Sequence, residues 1–247
     1  MLENLIKPDE TLDDLQNGYY LIQKKEGFRF GVDPVLLADF AALKKTDRVL
    51  EMGTGTGIIS ILLHAKKNPG SITAIEIQEE MAEMAQRSAA YNGLEDRITI
   101  LHMDLKDASE RFGKASFDAV VTNPPYMKLG SGIINPSQKQ ATARFELSCS
   151  LEEVIHSAYE ILKPGGRFFM VHRTDRLVDI ITAMRNKKIE PKRIRFVHSG
   201  IGKKPHLLLI EGMKGGRPEL KFMDPLYIYD DKGEYTNEIH DIYGRIK

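Results

Sequence analysis

The chain has 247 residues, of which 42% are hydrophobic and 28% charged, a composition that excludes collagen-like, coiled-coil and largely disordered proteins. Its 35 basic and 35 acidic side chains cancel, so the net charge gives no sign of a polyanionic partner. No apolar run approaches the roughly 18 residues that a transmembrane helix needs, and the acidic first segment does not resemble a signal peptide. The single cysteine, Cys149, cannot form an internal disulfide and suits a reducing cytoplasm.

Apolar runs alternate with amphipathic segments along most of the chain. The runs predict seven strands, over residues 48–52, 71–75, 98–101, 117–122, 167–172, 193–198 and 206–212, and a strand-like stretch lies at 19–23. The amphipathic segments predict helices over 57–65, 78–92, 151–162 and about 174–186. Because strands and helices alternate, we expect an α/β fold with a mostly parallel seven-stranded sheet and helices on both faces.

Two segments flank the predicted core, which spans residues 47–213. The N-terminal extension, 1–46, contains a helix that begins at Asp33-Pro34, with proline in its first turn. The C-terminal tail, 214–247, is polar and carries four tyrosines that could stack on bases or cover the edge of the sheet. We interpret the N-terminal extension as part of the same domain and 214–247 as a C-terminal tail.

The first strand of the core leads into a glycine-rich turn, Glu51-Met52-Gly53-Thr54-Gly55-Thr56-Gly57. Glycines there allow a sharp turn and let a ligand approach the main chain closely. The spacing is G-x-G-x-G, which differs from the dinucleotide fingerprint G-x-G-x-x-G, and no lysine follows as it would in a phosphate-binding loop. The turn therefore disfavours a nucleoside triphosphate, and the alternative to a ligand site is a tight turn that binds nothing.

Acidic residues follow the next two strands, Glu76 after the second and Asp104 after the third. Carboxyl ends of parallel strands meet at one edge of a sheet, where open α/β sheets bind their ligands. Glu76 can accept hydrogen bonds from both ribose hydroxyls of a nucleoside, and Asp104 can accept one from an adenine amino group. Each acid alone could be a solvated strand end, but together with the glycine turn they indicate an adenosine without a pyrophosphate. S-adenosylmethionine fits this description, and its sulfonium suits the acidic surroundings.

The tetrad Asn123-Pro124-Pro125-Tyr126 follows the fourth strand and opens a segment, 123–148, that lacks clear periodicity. Its two prolines fix the backbone and remove two amide donors, which leaves exposed carbonyl groups in a rigid turn. The Asn123 side-chain oxygen and the Pro124 carbonyl can then accept from one planar NH2 group, while Tyr126 stacks on the ring that carries it. The tetrad thus predicts a site that orients an amine as a nucleophile, and the alternative is a proline-rich structural turn.

The glycine turn, Glu76, Asp104 and the tetrad, in this order, resemble the motifs of class I S-adenosylmethionine-dependent N-methyltransferases, and 163–166 is similar to a turn of that class. Segments 13–19, 27–38 and 225–229 look like a narrower group, the bacterial tRNA1(Val) (adenine(37)-N6)-methyltransferases. The resemblance covers nearly the whole chain and implies a Rossmann-like class I methyltransferase fold. It also implies methyl transfer from S-adenosylmethionine to N6 of adenosine 37 in the anticodon loop of a valine tRNA.

The resemblance also implies roles for individual residues. The cofactor-binding candidates are Arg29, Gly31, Asp33, Glu51, Gly53, Gly55, Gly57, Glu76, Asp104 and Asn123, the first three near the methionine end of the cofactor. Asn123, Pro124 and Tyr126 are the candidates that hold the target base. Because Asn-Pro-Pro-Tyr serves amides as well as bases, a protein glutamine N5-methyltransferase, a guanine-N2 rRNA enzyme and a DNA adenine-N6 enzyme stay open as alternatives.

The neutral total conceals an uneven charge distribution. The net charge is −5 over residues 1–184, +8 over 185–217 and −3 over 218–247. A basic segment in an otherwise acidic protein is an electrostatic footprint for phosphates, and a solvated basic face is the plainer alternative. The candidate RNA contacts are Lys128, Arg144, Arg193, Arg195, Lys203 and Lys204.

We therefore expect a cytoplasmic enzyme that binds a tRNA anticodon stem-loop, with a non-catalytic RNA-binding protein of the same fold as the alternative from another class. The seven histidines and the single cysteine show no metal-ligand spacing, so we expect no metal and no membrane partner. The oligomeric state stays open, with a monomer as the default. Whether the basic segment faces Asn123 depends on the fold.

Overall fold

The computed structural model of the chain describes residues 5–16, 18–26, 29–125 and 149–244. The strands in these ranges are β1 (Glu10–Gln16), β2 (Tyr19–Lys24), β3 (Arg48–Met52), β4 (Ser71–Glu76), β5 (Ile98–His102), β6 (Phe117–Thr122), β7 (Leu162–Arg173), β8 (Ile189–Gly200), β9 (Pro205–Lys214), β10 (Lys221–Phe222) and β11 (Leu226–Tyr229). The helices are α1 (Asp33–Phe40), α2 (Ile58–Lys67), α3 (Glu79–Tyr91), α4 (Ala108–Phe112), α5 (Leu151–Ile161), α6 (Leu177–Asn186) and α7 (Asn237–Tyr243). None of the helices in these ranges is long and apolar enough to cross a membrane.

Strands β3 to β11 form one sheet in the order β10–β8–β9–β7–β6–β3–β4–β5, and β11 extends the edge that β10 begins on β8. Strand β9 runs antiparallel to β7 and β8, and the other neighbouring strands run parallel. This arrangement confirms the expected α/β fold of the Rossmann-like class I methyltransferase type. The seven strands of the prediction are present, and the tail adds two short ones.

Strand β7 shows how one strand contributes to two cores. Phe168 and Met170 pack with α5 and α6 on one face of the sheet, whereas Phe169 and Val171 pack with α1 and its neighbours on the other. All four side chains are completely buried. A strand covered on both faces is apolar at every position, which is why the sequence shows a continuous run here and not an alternation.

The sequence predicted β2 and α1 in the N-terminal extension, but it did not predict β1 or the elements of the tail. Strand β1 is acidic and shows no apolar alternation, but it pairs with β2, and its Glu10 accepts bidentate hydrogen bonds of 2.6 and 2.7 Å from Arg87. The polar tail forms β10, β11 and α7, and it buries Leu226, Ile239 and Ile242 in the core. The apolar side chains of the tail are too few to form a periodic pattern in the sequence. Contacts with the rest of the chain determine these elements.

The carboxyl ends of β3 to β7 lie along one edge of the sheet, which we call the carboxyl edge. Met52 of β3 pairs with Ile75 of β4 on one side and with Thr122 of β6 on the other, so these strands end at the same level. Because β9 runs antiparallel, the turn 201–204 between β8 and β9 also lies at the carboxyl edge. The start of β8 and the end of β9 lie at the opposite edge.

Candidate active site

The glycine turn between β3 and α2 depends on backbone conformations that favour glycine. Gly53, Gly55 and Gly57 have φ values of 71°, 57° and 91°, all in the left-handed region. A Cβ at Gly57 would lie 3.2 Å from the Cβ of Ala85 in α3, whereas a Cβ at Gly55 would meet nothing within 4 Å. The turn is therefore packed against α3 at one end and open in its middle, where a ligand can approach the main chain.

Glu76, at the end of β4, holds the glycine turn in place. The side chain is 2% exposed, and its Oε2 accepts a 2.9 Å hydrogen bond from the Gly55 amide while Oε1 accepts a 3.0 Å bond from the Gln78 amide. Burial raises the pKa of this carboxyl group, and the two amide hydrogen bonds oppose that rise. Glu76 is thus an anchored acceptor and not a solvated strand end, and each carboxylate oxygen keeps lone-pair capacity for a second donor.

Glu51, one strand away in β3, is fully buried. Burial raises the pKa of its carboxyl group to about 7, although the Ser60 hydroxyl donates a hydrogen bond to Oε2. Its Oε1 and the nearby Thr54 hydroxyl are buried polar atoms without a hydrogen-bond partner. Such groups are rare in folded proteins, and these two lie close together beside the open turn, where the Thr54 side chain also lowers the pKa of the Glu51 carboxyl group.

A shallow cleft opens at the ends of β4 and β5 beside the glycine turn. Ile77, Met103 and Leu105 form apolar walls, and Asp104, whose Oδ2 pairs with Lys106 at 3.3 Å, also lines the cleft. Asp104 Oδ1 accepts a 3.0 Å hydrogen bond from the Lys106 amide, which fixes the orientation of the carboxylate. Apolar walls with one acceptor suit a planar heterocycle that carries an amino group, such as adenine.

Cys149 also lines this cleft, although it is distant in sequence from the other lining residues. Burial raises the pKa of its thiol to about 12, so it is a packed residue and not a nucleophile. Sequence motifs point to Asp104 but not to Cys149 or the apolar walls. The sequence signal that could have found two of the wall residues is their position, because Ile77 directly follows Glu76 and Met103 directly precedes Asp104.

The Asn123-Pro124 turn leaves β6 directly beside the glycine turn, which leaves β3. The Thr122 hydroxyl donates a 2.9 Å hydrogen bond to the Met52 carbonyl and so ties the two strand ends together. Pro124 is buried, and Asn123 and Pro125 are half-buried. The structure therefore places Asn123 and Pro124, two of the three predicted base-holding residues, next to the glycine turn. Tyr126, Lys128 and Arg144 lie outside the described residues.

Comparison with known proteins agrees with this geometry. The family model of the methyltransferase small domain matches residues 32–187. The tRNA1(Val) (adenine(37)-N6)-methyltransferase of a Flavobacteriaceae bacterium is 36% identical over 188 residues, which cover 70% of this chain and 77% of that protein. The protein of the same name from Porphyromonas gingivalis is 32% identical over 218 residues, 85% of each chain. The chain belongs to the family of the tRNA1(Val) (adenine(37)-N6)-methyltransferases.

Solved structures share the fold of this methyltransferase. A predicted O-methyltransferase from Agrobacterium tumefaciens superposes with a TM-score of 0.70 at 24% identity, over 86% of this chain and 95% of that one. The M. jannaschii tRNA m1G37 methyltransferase superposes with a TM-score of 0.58 at 18% identity, over 85% of this chain and 58% of that one. At these identities the similarity shows the fold alone.

The N-terminal extension of the methyltransferase brings two further candidates into defined positions. Arg29 pairs with Asp13 of β1 at 2.5 Å and stays half-exposed. Asp33 begins α1. Burial lowers the pKa of His206, at the start of β9, and the nearby negative charge of Asp33 opposes that fall. Asp33 is therefore near the carboxyl edge. Gly31 is exposed, and neither its φ nor its surroundings require glycine.

Two of the predicted RNA contacts in the methyltransferase are occupied by internal partners. Arg193 pairs with Glu211, and its guanidinium lies 4.8 Å from the Phe40 ring centroid. Arg195 pairs with Glu238 of α7 at 2.7 Å and donates a 2.9 Å hydrogen bond to the Asp224 carbonyl. Arg195 thus fastens the tail to β8, and Arg193 joins β8 to β9 and α1.

The other predicted contacts, Lys203 and Lys204, lie in the turn at the carboxyl edge and are exposed. The remaining basic side chains of the segment lie toward the opposite edge: Arg185, Lys187, Lys188, Lys192, Lys214 and Arg217. The fold thus divides the basic segment, 185–217, into three groups: two arginines that pair internally, two exposed lysines at the carboxyl edge, and the cations toward the opposite edge.

Proposed function

We propose that the protein transfers a methyl group from S-adenosylmethionine to N6 of an adenine, which is adenosine 37 in the anticodon loop of a valine tRNA. The observation that carries the proposal is the adjacency of two sites at the carboxyl edge. A cleft with anchored acids opens beside the glycine turn, and the Asn123-Pro124 turn leaves the neighbouring strand end. The names of the bacterial relatives support the tRNA and the position, and a tRNA substrate implies a cytoplasmic enzyme.

The residues present fit the cofactor. The apolar cleft with Asp104 suits the adenine, and Glu76 keeps acceptor capacity for ribose hydroxyls beside the open Gly55 backbone. The unpartnered Glu51 Oε1 and Thr54 hydroxyl offer further polar contacts. S-adenosylmethionine, when bound, supplies an electrophilic methyl group on a positively charged sulfur, and buried acids favour a cation nearby.

Asn123 and Pro124 prepare the nucleophile. The Asn123 side-chain oxygen and the Pro124 carbonyl accept the two hydrogens of the adenine amino group, which directs the nitrogen lone pair away from the turn. In our proposal Tyr126 stacks on the adenine ring. S-adenosylmethionine held at the cleft would supply the methyl group to this nitrogen, and the amine would release one proton to water. Alignment and electrostatics suffice, because the methylated ammonium is acidic and needs no strong base.

The target base must leave its stack before the amino group can enter this site. Nucleotides of an anticodon loop are already unpaired, so they unstack at lower cost than bases in a duplex. This difference favours a loop adenosine over a DNA adenine. Lys128 and Arg144, in the segment that follows the tetrad, are proposed to contact the RNA near the flipped base.

The test is transfer from labelled S-adenosylmethionine to unmodified valine tRNA, followed by nucleoside analysis of the product. We expect N6-methyladenosine at position 37, and a transcript with guanosine at that position should stay unlabelled. Parallel reactions with rRNA, DNA and total protein separate the other reactions that Asn-Pro-Pro-Tyr permits. Label found only in protein glutamine, or binding of tRNA without any transfer, would refute the proposal.

A further inference from the structure

The tail contains a stack of three tyrosine rings that ends at the protein surface. The ring centroids of Tyr229 and Tyr235 lie 5.3 Å apart with 17° between the planes, and those of Tyr235 and Tyr243 lie 5.9 Å apart, also at 17°. Tyr235 and Tyr243 pack against the hydrophobic core. Tyr229 is the outer member, and 40% of it is exposed, one of few large hydrophobic residues with such exposure.

The exposed end of this stack lies at the carboxyl edge. Tyr229 is the last residue of β11 and pairs in register with Gly200, the last residue of β8. The turn 201–204 begins directly after Gly200. A Cβ at Gly200 would lie 3.5 Å from the Tyr229 carbonyl oxygen and 4.0 Å from Cγ of Lys203, so the tyrosine backbone and the lysine flank the same glycine.

The turn itself carries positive charge that no acidic side chain in the described part of the chain neutralises. Lys203 and Lys204 are exposed, and within the described ranges neither forms an ion pair with a carboxylate. Arg193 and Arg195, on the same strand β8, are both paired. Ile201, at the tip of the turn, is 60% exposed. A cationic turn that pairs with no described carboxylate, beside a partly exposed tyrosine, is therefore a local feature of this corner of the molecule.

We propose that Tyr229 and the turn 201–204 form a docking surface for the single-stranded RNA that flanks the target nucleotide. Lys203 and Lys204 contact backbone phosphates, and an unpaired base stacks on the exposed ring of Tyr229. Flat aromatic faces combined with cations are what proteins use to bind unpaired nucleotides. A peptide partner would need a groove or an acidic segment to match, whereas one flat ring beside two lysines fits a base and its phosphates.

The position of the surface defines which nucleotides it contacts. Four strand spacings separate β11 from β6 in the sheet, so Tyr229 lies about 19 Å from the Asn123 turn. That distance is too long for contact with the target adenine itself. The surface therefore holds nucleotides that flank the target, and it contributes to tRNA affinity more than to the chemical step. This inference rests on the proposed tRNA substrate.

Binding of a valine tRNA transcript, measured with S-adenosylhomocysteine at several salt concentrations, tests the proposal. Tyr229→Ala should weaken binding roughly 5- to 100-fold, because stacking of one base is lost, whereas Tyr229→Phe should change it less than about twofold. Lys203→Gln with Lys204→Gln should reduce the salt slope by about 1.4 to 1.8, the value for two phosphate contacts.

The matched control is Lys187→Gln with Lys188→Asn, which also removes two charges but at the opposite edge. Asparagine suits position 188 because Lys188 has a φ of 57°. The control should leave the salt slope unchanged. Equal slopes for the two double variants would overturn the proposal, as would equal affinities of Tyr229→Ala and wild type.

If the Tyr229→Ala variant fails to fold, a second measurement, on the wild-type enzyme, tests the docking surface. The wild-type enzyme, irradiated with tRNA that carries 4-thiouridine in the loop, should form a crosslink within 226–229, and crosslinks confined to other segments would contradict the docking surface. Methyl transfer by the wild-type enzyme distinguishes the two proposals. If the wild-type enzyme transfers methyl groups but Tyr229→Ala binds tRNA as tightly as wild type, the docking surface alone is refuted. If tRNA binding depends on Tyr229 but no methyl group is transferred, the proposed function alone is refuted.

Discussion

The backbone amide of Gly55 donates a 2.9 Å hydrogen bond to Oε2 of Glu76, which joins the glycine turn after β3 to the end of β4. Gly55 follows β3 and Glu76 ends β4, and these adjacent parallel strands end at the same level. Because Gly55 has a φ of 57° and open space around it, this bond holds the turn in a shape that exposes its main chain. One buried carboxylate thus shapes the turn and offers acceptors to a ligand.

Replacement of Glu76 should therefore affect both stability and cofactor binding. Glu76→Gln exchanges one acceptor oxygen for an NH2 group, so one of the two amides that now bind the carboxylate loses its acceptor, at a cost of about 1 to 3 kcal/mol. S-adenosylhomocysteine affinity should fall at least tenfold by calorimetry, and the urea midpoint should decrease. Glu79→Gln, at the exposed start of α3, is the control, and equal behaviour of the two variants would contradict the anchoring role.

Glu51 should make the free energy of unfolding depend on pH. Its folded pKa of about 7 lies above the ordinary value of 4.5, so the folded state favours the protonated form. Stability from this group is complete below about pH 4.5 and is lost as the pH rises to about 7, by up to about 3 kcal/mol. Glu51→Gln stays neutral, so its stability relative to wild type should increase from pH 5 to pH 8 in urea unfolding. A difference that is the same at both pH values would contradict this expectation.

Asn123 should act on turnover more than on cofactor binding. Asn123→Ala removes one acceptor for the target amino group, so kcat should fall about 100-fold, the size seen for loss of one aligned hydrogen-bonding group. Binding of S-adenosylhomocysteine should change little by calorimetry, because Glu76 and Asp104 lie on other strands. A variant that keeps most of its kcat would show that the Asn-Pro-Pro turn is structural only.

Arg193 should contribute to stability and not to RNA affinity. Arg193→Met leaves the largely buried Glu211 without its partner and loses the contact with the Phe40 ring, so unfolding should become easier by about 2 kcal/mol. The salt slope of tRNA binding should match that of wild type. A reduction of the slope as large as that in the Lys203 and Lys204 double variant would place Arg193 on the RNA instead.

The central part of the fold follows closely from local patterns, whereas the edges do not. Strands β3 and β6 coincide with the predicted 48–52 and 117–122, because interior strands of a parallel sheet are continuous apolar runs. Strand β8 is longer than the predicted 193–198, because charged side chains alternate along it and conceal its first residues. Strands β1, β10 and β11 depend on pairing partners elsewhere in the chain.

The candidate site divides in the same way. Glu76, Asp104 and the glycine turn are recognisable because each follows a predicted strand, and parallel strand ends must meet at one edge. The apolar walls of the cleft are not recognisable, since Leu105 and Cys149 look like ordinary core residues until the chain is folded. The same holds for the exposed face of Tyr229, which depends on the stacking of Tyr235 behind it.

The sequence by itself determined which residue types stand at the strand ends, and with them the cofactor class and the kind of nitrogen that is methylated. It also showed that the zero net charge is a cancellation of −5, +8 and −3. Only the tertiary structure decided which cations accompany the site. Because β9 reverses direction, Lys203 and Lys204 lie at the carboxyl edge, while most of the basic segment lies toward the opposite edge or pairs with acids. Strand direction and pairing, not proximity in sequence, determine the charge that an RNA would meet.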